Sequence, residues 1–272
     1  MGKAGWLVCL DTVAEPEGRV FCFPYAGGGP GTYRLWPQRF SETTEVWSVQ
    51  PPGRGPLAGE RAVVDLFELV VGLGDQIQPY LGVPFVFFGH SLGALVAFEL
   101  SRYLVREAGI GPTHLVVSGC KAPGVPPRFD PIRDLPDGAL LREVDARYGG
   151  IPEDIREDPE VWGLMLPALR ADLVMAEGYS YVPGPVLSCP ITALGGRADA
   201  SVLEAELMAW RDLTSGSFSC DFFPGGHFFI HSWGDEVAAL VAETLGDPEA
   251  GARRYAPNPA KSYPLEQSKA GD

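Results

Sequence analysis

Residues 83–100 read Val83-Pro84-Phe85-Val86-Phe87-Phe88-Gly89-His90-Ser91-Leu92-Gly93-Ala94-Leu95-Val96-Ala97-Phe98-Glu99-Leu100. The first six are a continuous apolar, β-rich run, as expected of a strand buried on both faces. From Ala94 to Val105 the apolar residues recur at helical spacing. Between them stands Gly89-His90-Ser91-Leu92-Gly93, a G-x-S-x-G pattern in a strand-to-helix context. Such a turn is tight, and glycines flank the serine where any Cβ would collide. Ser91 is thereby placed at the strand end, with its hydroxyl at the positive end of the following helix. A bare G-x-S-x-G also occurs as a structural turn. The flanking strand and helix favour a nucleophile.

The same rhythm continues outward. Short apolar runs predict strands over 20–23, 46–49, 115–118, 191–194 and 218–223, and helical spacing predicts helices over 65–80, 202–210 and 235–245. Strands alternating with helices imply an α/β fold, a mostly parallel sheet with helices on both faces. One region departs from it. Between Lys121 and Pro190 helix formers and prolines dominate, with no clear strand. Leu135-Pro136-Asp137 resembles a helix start with Asp137 as cap, and 160–175 reads as one or two helices interrupted near Pro167. A helical insertion between strands would lie over the carboxyl edge of the sheet, where ligands bind. A lid is the sharper reading and an ornamental subdomain the plainer one. The expected organisation is a single domain over 1–245, with the lid insertion at about 121–190. A Pro- and Gly-rich segment, 246–272, reads as a flexible tail.

Composition sets limits. The 272 residues carry a formal charge of −14. Acidic and basic residues cancel in the tail, so the body carries that charge. An electrostatic grip on nucleic acid or on an anionic membrane surface is therefore disfavoured. No run reaches the roughly 18 apolar residues of a membrane helix. The first ten residues lack the pattern of a signal peptide. The five cysteines, Cys9, Cys22, Cys120, Cys189 and Cys220, form no CxxC and stand near no histidine at zinc spacing. Reduced thiols, no metal and a cytoplasmic location are expected.

A serine nucleophile needs a base. Of four histidines, His90 lies inside the turn and points away from the nucleophile, and His114 precedes a strand at the amino edge. His227 follows Phe222-Phe223-Pro224-Gly225-Gly226 in a loop just past the last strand, from which it can reach the serine. His231, four residues on, reads as a surface or packing residue. The base needs a carboxylate. Asp199, in the loop Gly195-Gly196-Arg197-Ala198-Asp199, is the candidate, with Asp221 in the last strand and Asp235 at the last helix as rivals. The order Ser91, Asp199, His227 is that of α/β-hydrolases. An oxyanion hole needs backbone donors. The N–H of Leu92 is one candidate. The loop Pro24-Tyr25-Ala26-Gly27-Gly28-Gly29 offers Ala26 as the other. No Gly-Lys-Ser/Thr follows that loop, so it is not a P-loop.

With these residues in place, the chain resembles the type II thioesterases, editing hydrolases of polyketide and non-ribosomal peptide pathways. The likeness runs from about Val20 to Leu245. It rests on Phe23-Pro24-Tyr25-Ala26-Gly27-Gly28, Pro52-Gly53-Arg54-Gly55, Gly89-His90-Ser91-Leu92-Gly93-Ala94, Leu169-Arg170-Ala171-Asp172, Ala209-Trp210-Arg211 and Gly225-Gly226-His227-Phe228-Phe229. The resemblance implies an α/β-hydrolase fold with a helical lid over 121–190. It implies hydrolysis of acyl groups from the phosphopantetheine arm of an acyl or peptidyl carrier protein, with a triad on Ser91, Asp199 and His227. The carrier would be a transient partner, and the enzyme would need no cofactor of its own. Two departures stand out: Leu92 replaces a frequent Met, and 196–200 lacks a second acid and a proline often found there. Two other readings use the same residues: an acyltransferase or cyclase with an alcohol or amine acceptor, and a non-catalytic module that holds acylated carriers. Carriers are usually acidic, so docking on a body at −14 calls for a local basic patch. Arg54, Arg128, Arg133 and Arg170 are candidates, unless each pairs with a neighbouring Asp or Glu.

Overall fold

Phe85 and Phe87 pack on one face of the central strand, and Val86 and Phe88 on the other. The period of two along an uninterrupted apolar run explains why both faces are covered. The computed structural model describes residues 5–149 and 159–247. Seven strands form one sheet: β1 (Leu7–Asp11), β2 (Gly18–Phe23), β3 (Thr44–Val49), β4 (Phe85–His90), β5 (His114–Ser118), β6 (Ile191–Gly196) and β7 (Phe218–Phe223), in the order β1-β3-β2-β4-β5-β6-β7. β1 pairs antiparallel with β3, and all other pairs are parallel. This is the mostly parallel α/β-hydrolase-type sheet expected. The antiparallel edge strand β1 was not foreseen. It is only half-buried, so its apolar residues show no marked pattern.

One face is covered by α1 (Leu66–Ile77) and α2 (Leu92–Ala108). Asp65 caps α1, its carboxylate accepting the N–H of Glu68 at 2.9 Å. Gly109, left-handed at φ 67°, ends α2. Between β5 and β6 come α3 (Asp137–Tyr148) and α4 (Pro159–Gly178), and between β6 and β7 lies the short α5 (Glu204–Met208). The other face is covered by α6 (Phe229–Ser232) and α7 (Gly234–Leu245), whose Val237, Ala238, Val241 and Ala242 meet Val20, Val86 and Val116.

The insertion has a core of its own, in which Ile132, Leu140, Val144, Trp162, Leu166, Leu169 and Leu173 cluster. Two local expectations are corrected here. Asp137 is not the cap of α3: Pro136 holds that position, and Asp137 pairs with Arg170 at 2.7 Å. Nor is α4 interrupted at Pro167, which lies inside one continuous helix. A proline removes one i→i−4 bond and crowds that carbonyl. Here the carbonyl belongs to Gly163, an exposed residue without a side chain. At the far end, Gly246 caps α7 at φ 81°, and the Asp247 carboxylate accepts the N–H of Ser41 at 2.7 Å. These two residues are docked on the body. The remainder of the expected tail, 248–272, lies outside the described residues.

Candidate active site

The ends of β4, β6 and β7 carry the predicted residues to one edge of the sheet. Ser91 follows β4 with φ 54° and ψ −120° and, among the described residues, is the one non-glycine with positive φ. That strain is the backbone conformation expected of the G-x-S-x-G turn. Its glycines are needed for space. A Cβ on Gly89 would stand 2.2 Å from the carbonyl oxygen of Gly93, and one on Gly93 would stand 2.0 Å from that of Phe23. The second contact also shows how close the loop after β2 lies to this turn. The N–H of Ser91 donates to the carbonyl of Ser118 at 2.8 Å, tying the turn to β5.

Asp199 and His227 meet directly. Asp199 Oδ2 lies 2.8 Å from His227 Nδ1, and the two residues are 9% and 4% exposed. Backbone bonds hold their loops together: Arg197 N–H to Phe223 O at 2.8 Å and Ala198 N–H to Gly225 O at 2.9 Å. A Cβ on Gly196 would meet the carbonyl of Gly226 at 2.3 Å, so the glycines permit this approach. Burial pushes the Asp199 carboxyl up. The hydrogen bond and charge of His227, with two bonds from Ser201, outweigh this and hold it below the usual aspartate value. Ser201 was not singled out from sequence. Its N–H and hydroxyl donate to Asp199 Oδ1 at 2.8 and 2.5 Å, and its oxygen lies 3.1 Å from His227 Nδ1. The spacing Asp-x-Ser was the available signal, since an Asp readily accepts the N–H two residues on.

The rival residues sit elsewhere. His90 is fully buried, with Nδ1 2.8 Å from Ser118 Oγ and its ring 5.1 Å from that of His227. Its ring also packs against those of Tyr25, Phe228 and Phe229. Burial, with His227 and His231 nearby, holds its pKa well below the usual histidine value. His231 pairs with the Tyr25 hydroxyl at 3.0 Å. His114 bonds Thr192 at 2.8 Å at the start of β5. Asp221 is exposed on β7, and Asp235 pairs with Arg39.

The glycine-rich loop forms a turn in which Gly28 N–H donates to Tyr25 O at 2.8 Å, with Gly27 left-handed at φ 79°. Ala26, in this turn, packs against both the main core and the insertion core. Leu92 is the first residue of α2, where backbone N–H groups lack intrahelical partners. A water-sized cavity of about 20 Å³ lies between this loop and the Ser91 turn, lined in part by Phe23, Pro24, Leu92, Gly93, Val96 and Asp172. The insertion reaches the site: the ring of Tyr148, at the end of α3, lies 4.9 Å from that of His227. Among the described residues no cluster of three or more His, Cys, Asp or Glu is placed to hold a metal.

A strained serine after β4 and a buried acid–histidine pair after β6 and β7 stand at one edge of the sheet. The comparison with known families decides the assignment: residues 18–246 match the family described as Thioesterase domain. The chain belongs to the thioesterase family. The gramicidin S biosynthesis protein GrsT of Aneurinibacillus migulanus is 37% identical over 240 residues, 88% of this chain and 93% of that protein. The type II thioesterase BorB from the borrelidin biosynthetic cluster superposes with a TM-score of 0.79 at 32% identity, covering 90% of this chain and 98% of its own. RedJ, a thioesterase from the prodiginine pathway of Streptomyces coelicolor, gives 0.78 at 35%, covering 86% and 95%. This thioesterase is thus a hydrolase of thioester bonds, and its likeness is to the type II enzymes. Among its described residues no helix is long and apolar enough to cross a membrane.

The four arginines suggested as a docking patch are each paired internally. Arg54 pairs with Asp172, Arg128 with Glu206 at 3.4 Å, Arg133 with Asp134 at 3.6 Å and Arg170 with Asp137.

Proposed function

We propose that this thioesterase releases acyl groups, stalled or aberrant units among them, from the phosphopantetheine arm of acyl or peptidyl carrier proteins in a polyketide or non-ribosomal peptide pathway. The observation that carries the chemistry is the buried 2.8 Å pair between Asp199 and His227, at the same sheet edge as the strained Ser91. With Nδ1 held by the carboxylate, Nε2 is left as the base. The likeness to GrsT, BorB and RedJ supports the carrier-bound substrate.

His227 Nε2 takes the proton of the Ser91 hydroxyl as Oγ attacks the thioester carbonyl. Negative charge collects on the carbonyl oxygen and rests on the N–H groups of Leu92 and Ala26. The Gly27 and Gly28 N–H groups are engaged inside the protein, by Asp172 and Tyr25, which supports Ala26 as the loop's donor. The C–S bond breaks, and the pantetheine sulfur leaves with the proton from His227. Water then attacks the acyl-serine, giving its proton to His227, and the free acid departs as Ser91 recovers a proton. Phosphopantetheine arrives on the substrate.

The test is intact-protein mass spectrometry of a propionyl-loaded carrier with wild type and Ser91→Ala. Wild type should remove the acyl mass and leave the arm, and Ser91→Ala should not. A Ser91→Ala enzyme that keeps most of the activity overturns the mechanism. An ester or amide product in place of the free acid would indicate transfer to an acceptor.

A further inference from the structure

Beside the triad lies a second buried acid–base pair that the steps above do not use. Asp172, 2% exposed on α4, takes a bidentate grip from Arg54: Nη1 to Oδ2 at 2.6 Å and Nη2 to Oδ1 at 2.5 Å. The same Oδ2 accepts the N–H of Gly27 at 2.7 Å, and the same Nη1 donates to the carbonyl of Gly28 at 3.1 Å. One ion pair thus holds two polar groups of the turn that follows Ala26, the N–H of Gly27 and the carbonyl of Gly28. The Arg54 side chain is presented by the Pro-Gly-Arg-Gly loop, where Gly53 and Gly55 are left-handed, at φ 84° and 52°. Gln50 braces that loop by donating to the carbonyl of Arg54 at 3.4 Å. Leu169, one helical turn before Asp172, stands 3.5 Å from where a Gly27 Cβ would lie. Residues three apart share a helix face. Helix α4 therefore presses on this turn with one apolar and one charged side chain.

We propose that Asp172 and Arg54 are positioning residues of the oxyanion hole. Resting on the reading of Ala26 as donor, the pair holds Gly27 and Gly28, and the Gly28 N–H in turn holds the Tyr25 carbonyl, so that the Tyr25–Ala26 peptide is fixed with its Ala26 N–H facing the reacting carbonyl oxygen. A buried ion pair is weak evidence of stabilisation, since desolvation offsets much of its attraction. Its use here is geometric. A carboxylate accepting from Gly27 prevents that N–H from turning toward the site, and the guanidinium stops the Gly28 carbonyl from doing so. An oxyanion donor must already point at developing charge to be effective.

The experiment measures turnover of a propionyl N-acetylcysteamine thioester, together with inhibition by a trifluoromethyl ketone, which forms a tetrahedral adduct with Ser91. Asp172→Asn should lower kcat about 10- to 100-fold, below or near the loss of a whole donor, with KM within about threefold of wild type. Ketone affinity should fall by about the same factor as kcat/KM. Arg54→Lys keeps the charge but loses the fork, and should lose about tenfold in both. It supplies the reading if Asp172→Asn does not fold. Glu177→Gln on the same helix, which loosens the bonds to Ile132 and Arg133 but not the turn, should stay within about threefold in both. The proposal is overturned if folded Asp172→Asn or Arg54→Lys keeps wild-type kcat. It is equally overturned if kcat falls while ketone affinity does not. An active Ser91→Ala would instead remove the mechanism beneath it, so the two failures are separate.

Discussion

Two buried carboxylates stand at the carboxyl edge of the sheet, and their partners differ. Asp199 faces His227 and Ser201, while Asp172 faces Arg54 and the backbone of Gly27. An imidazole can accept and return a proton in catalysis, whereas a guanidinium keeps its own. One oxygen of Asp199 holds Nδ1 of the ring, and under the proposed mechanism the other nitrogen moves the proton. Asp172 has both oxygens engaged, one of them twice, and nothing left to give to a substrate. The first arrangement suits a pair that moves a proton, the second a pair that holds a shape. Similar burial and similar charge thus serve different ends, and the difference is in where the remaining hydrogen bonds go.

Asp199→Asn gives the largest effect. An amide donates where the carboxylate accepts, so His227 would take the wrong tautomer. Turnover should fall on the order of 1,000- to 10,000-fold with the fold intact, as in the triad template. Asp172→Asn should fall far less, because it displaces a donor without disabling the base. Equal losses in the two variants, measured on the same thioester, would break the comparison.

Ser201→Ala sharpens it on a smaller scale. The hydroxyl donates to Asp199 at 2.5 Å, but the Ser201 N–H supports the same oxygen at 2.8 Å. Half of the brace therefore survives. A hydrogen bond to a charged group contributes roughly 1.5–3 kcal/mol, and partial replacement by water should leave a loss of about three- to tenfold in kcat. A loss as large as that of Asp199→Asn would mean that Ser201, not the carboxylate, fixes the ring.

The two carboxylates were not equally legible. Asp199 follows a strand that periodicity finds, in chain order between Ser91 and His227, so a local pattern and a known order suffice. Arg54 and Asp172 stand in motifs that mark the family, yet no local rule joins residues 118 positions apart. Their meeting depends on how α4 packs over the sheet, and amphipathic spacing does not fix that. The same limit hid the course of α4 through Pro167, where an exposed Gly163 without a side chain makes a usual breaker tolerable. It also hid β1, an edge strand with no fully buried residue. Strands buried on both faces, such as β4 and β5, announce themselves by composition alone.

The smallest effect separates the site from the far edge of the sheet by pH. His114 bonds Thr192 where β5 begins, and burial lowers its pKa to about 4. Its ordinary value is near 6.5, so between 6.5 and 4 the unfolded chain binds a proton that the folded chain does not. Stability from this group is complete above 6.5 and is lost as pH falls toward 4. His90 and His231, lowered in the same direction, add to that slope from the site's side. The Asp199 carboxyl, held below 3.8, gives way only in stronger acid. His114→Gln, which can keep a bond to Thr192, should flatten the decline of Tm between pH 6.5 and 4 by one group's share. Turnover at pH 7 should be unchanged, because nothing at the amino edge touches either carboxylate pair. Parallel Tm–pH curves for the two proteins would assign the whole acid slope to the site histidines, and make the carboxyl edge the pH-sensitive end of the sheet.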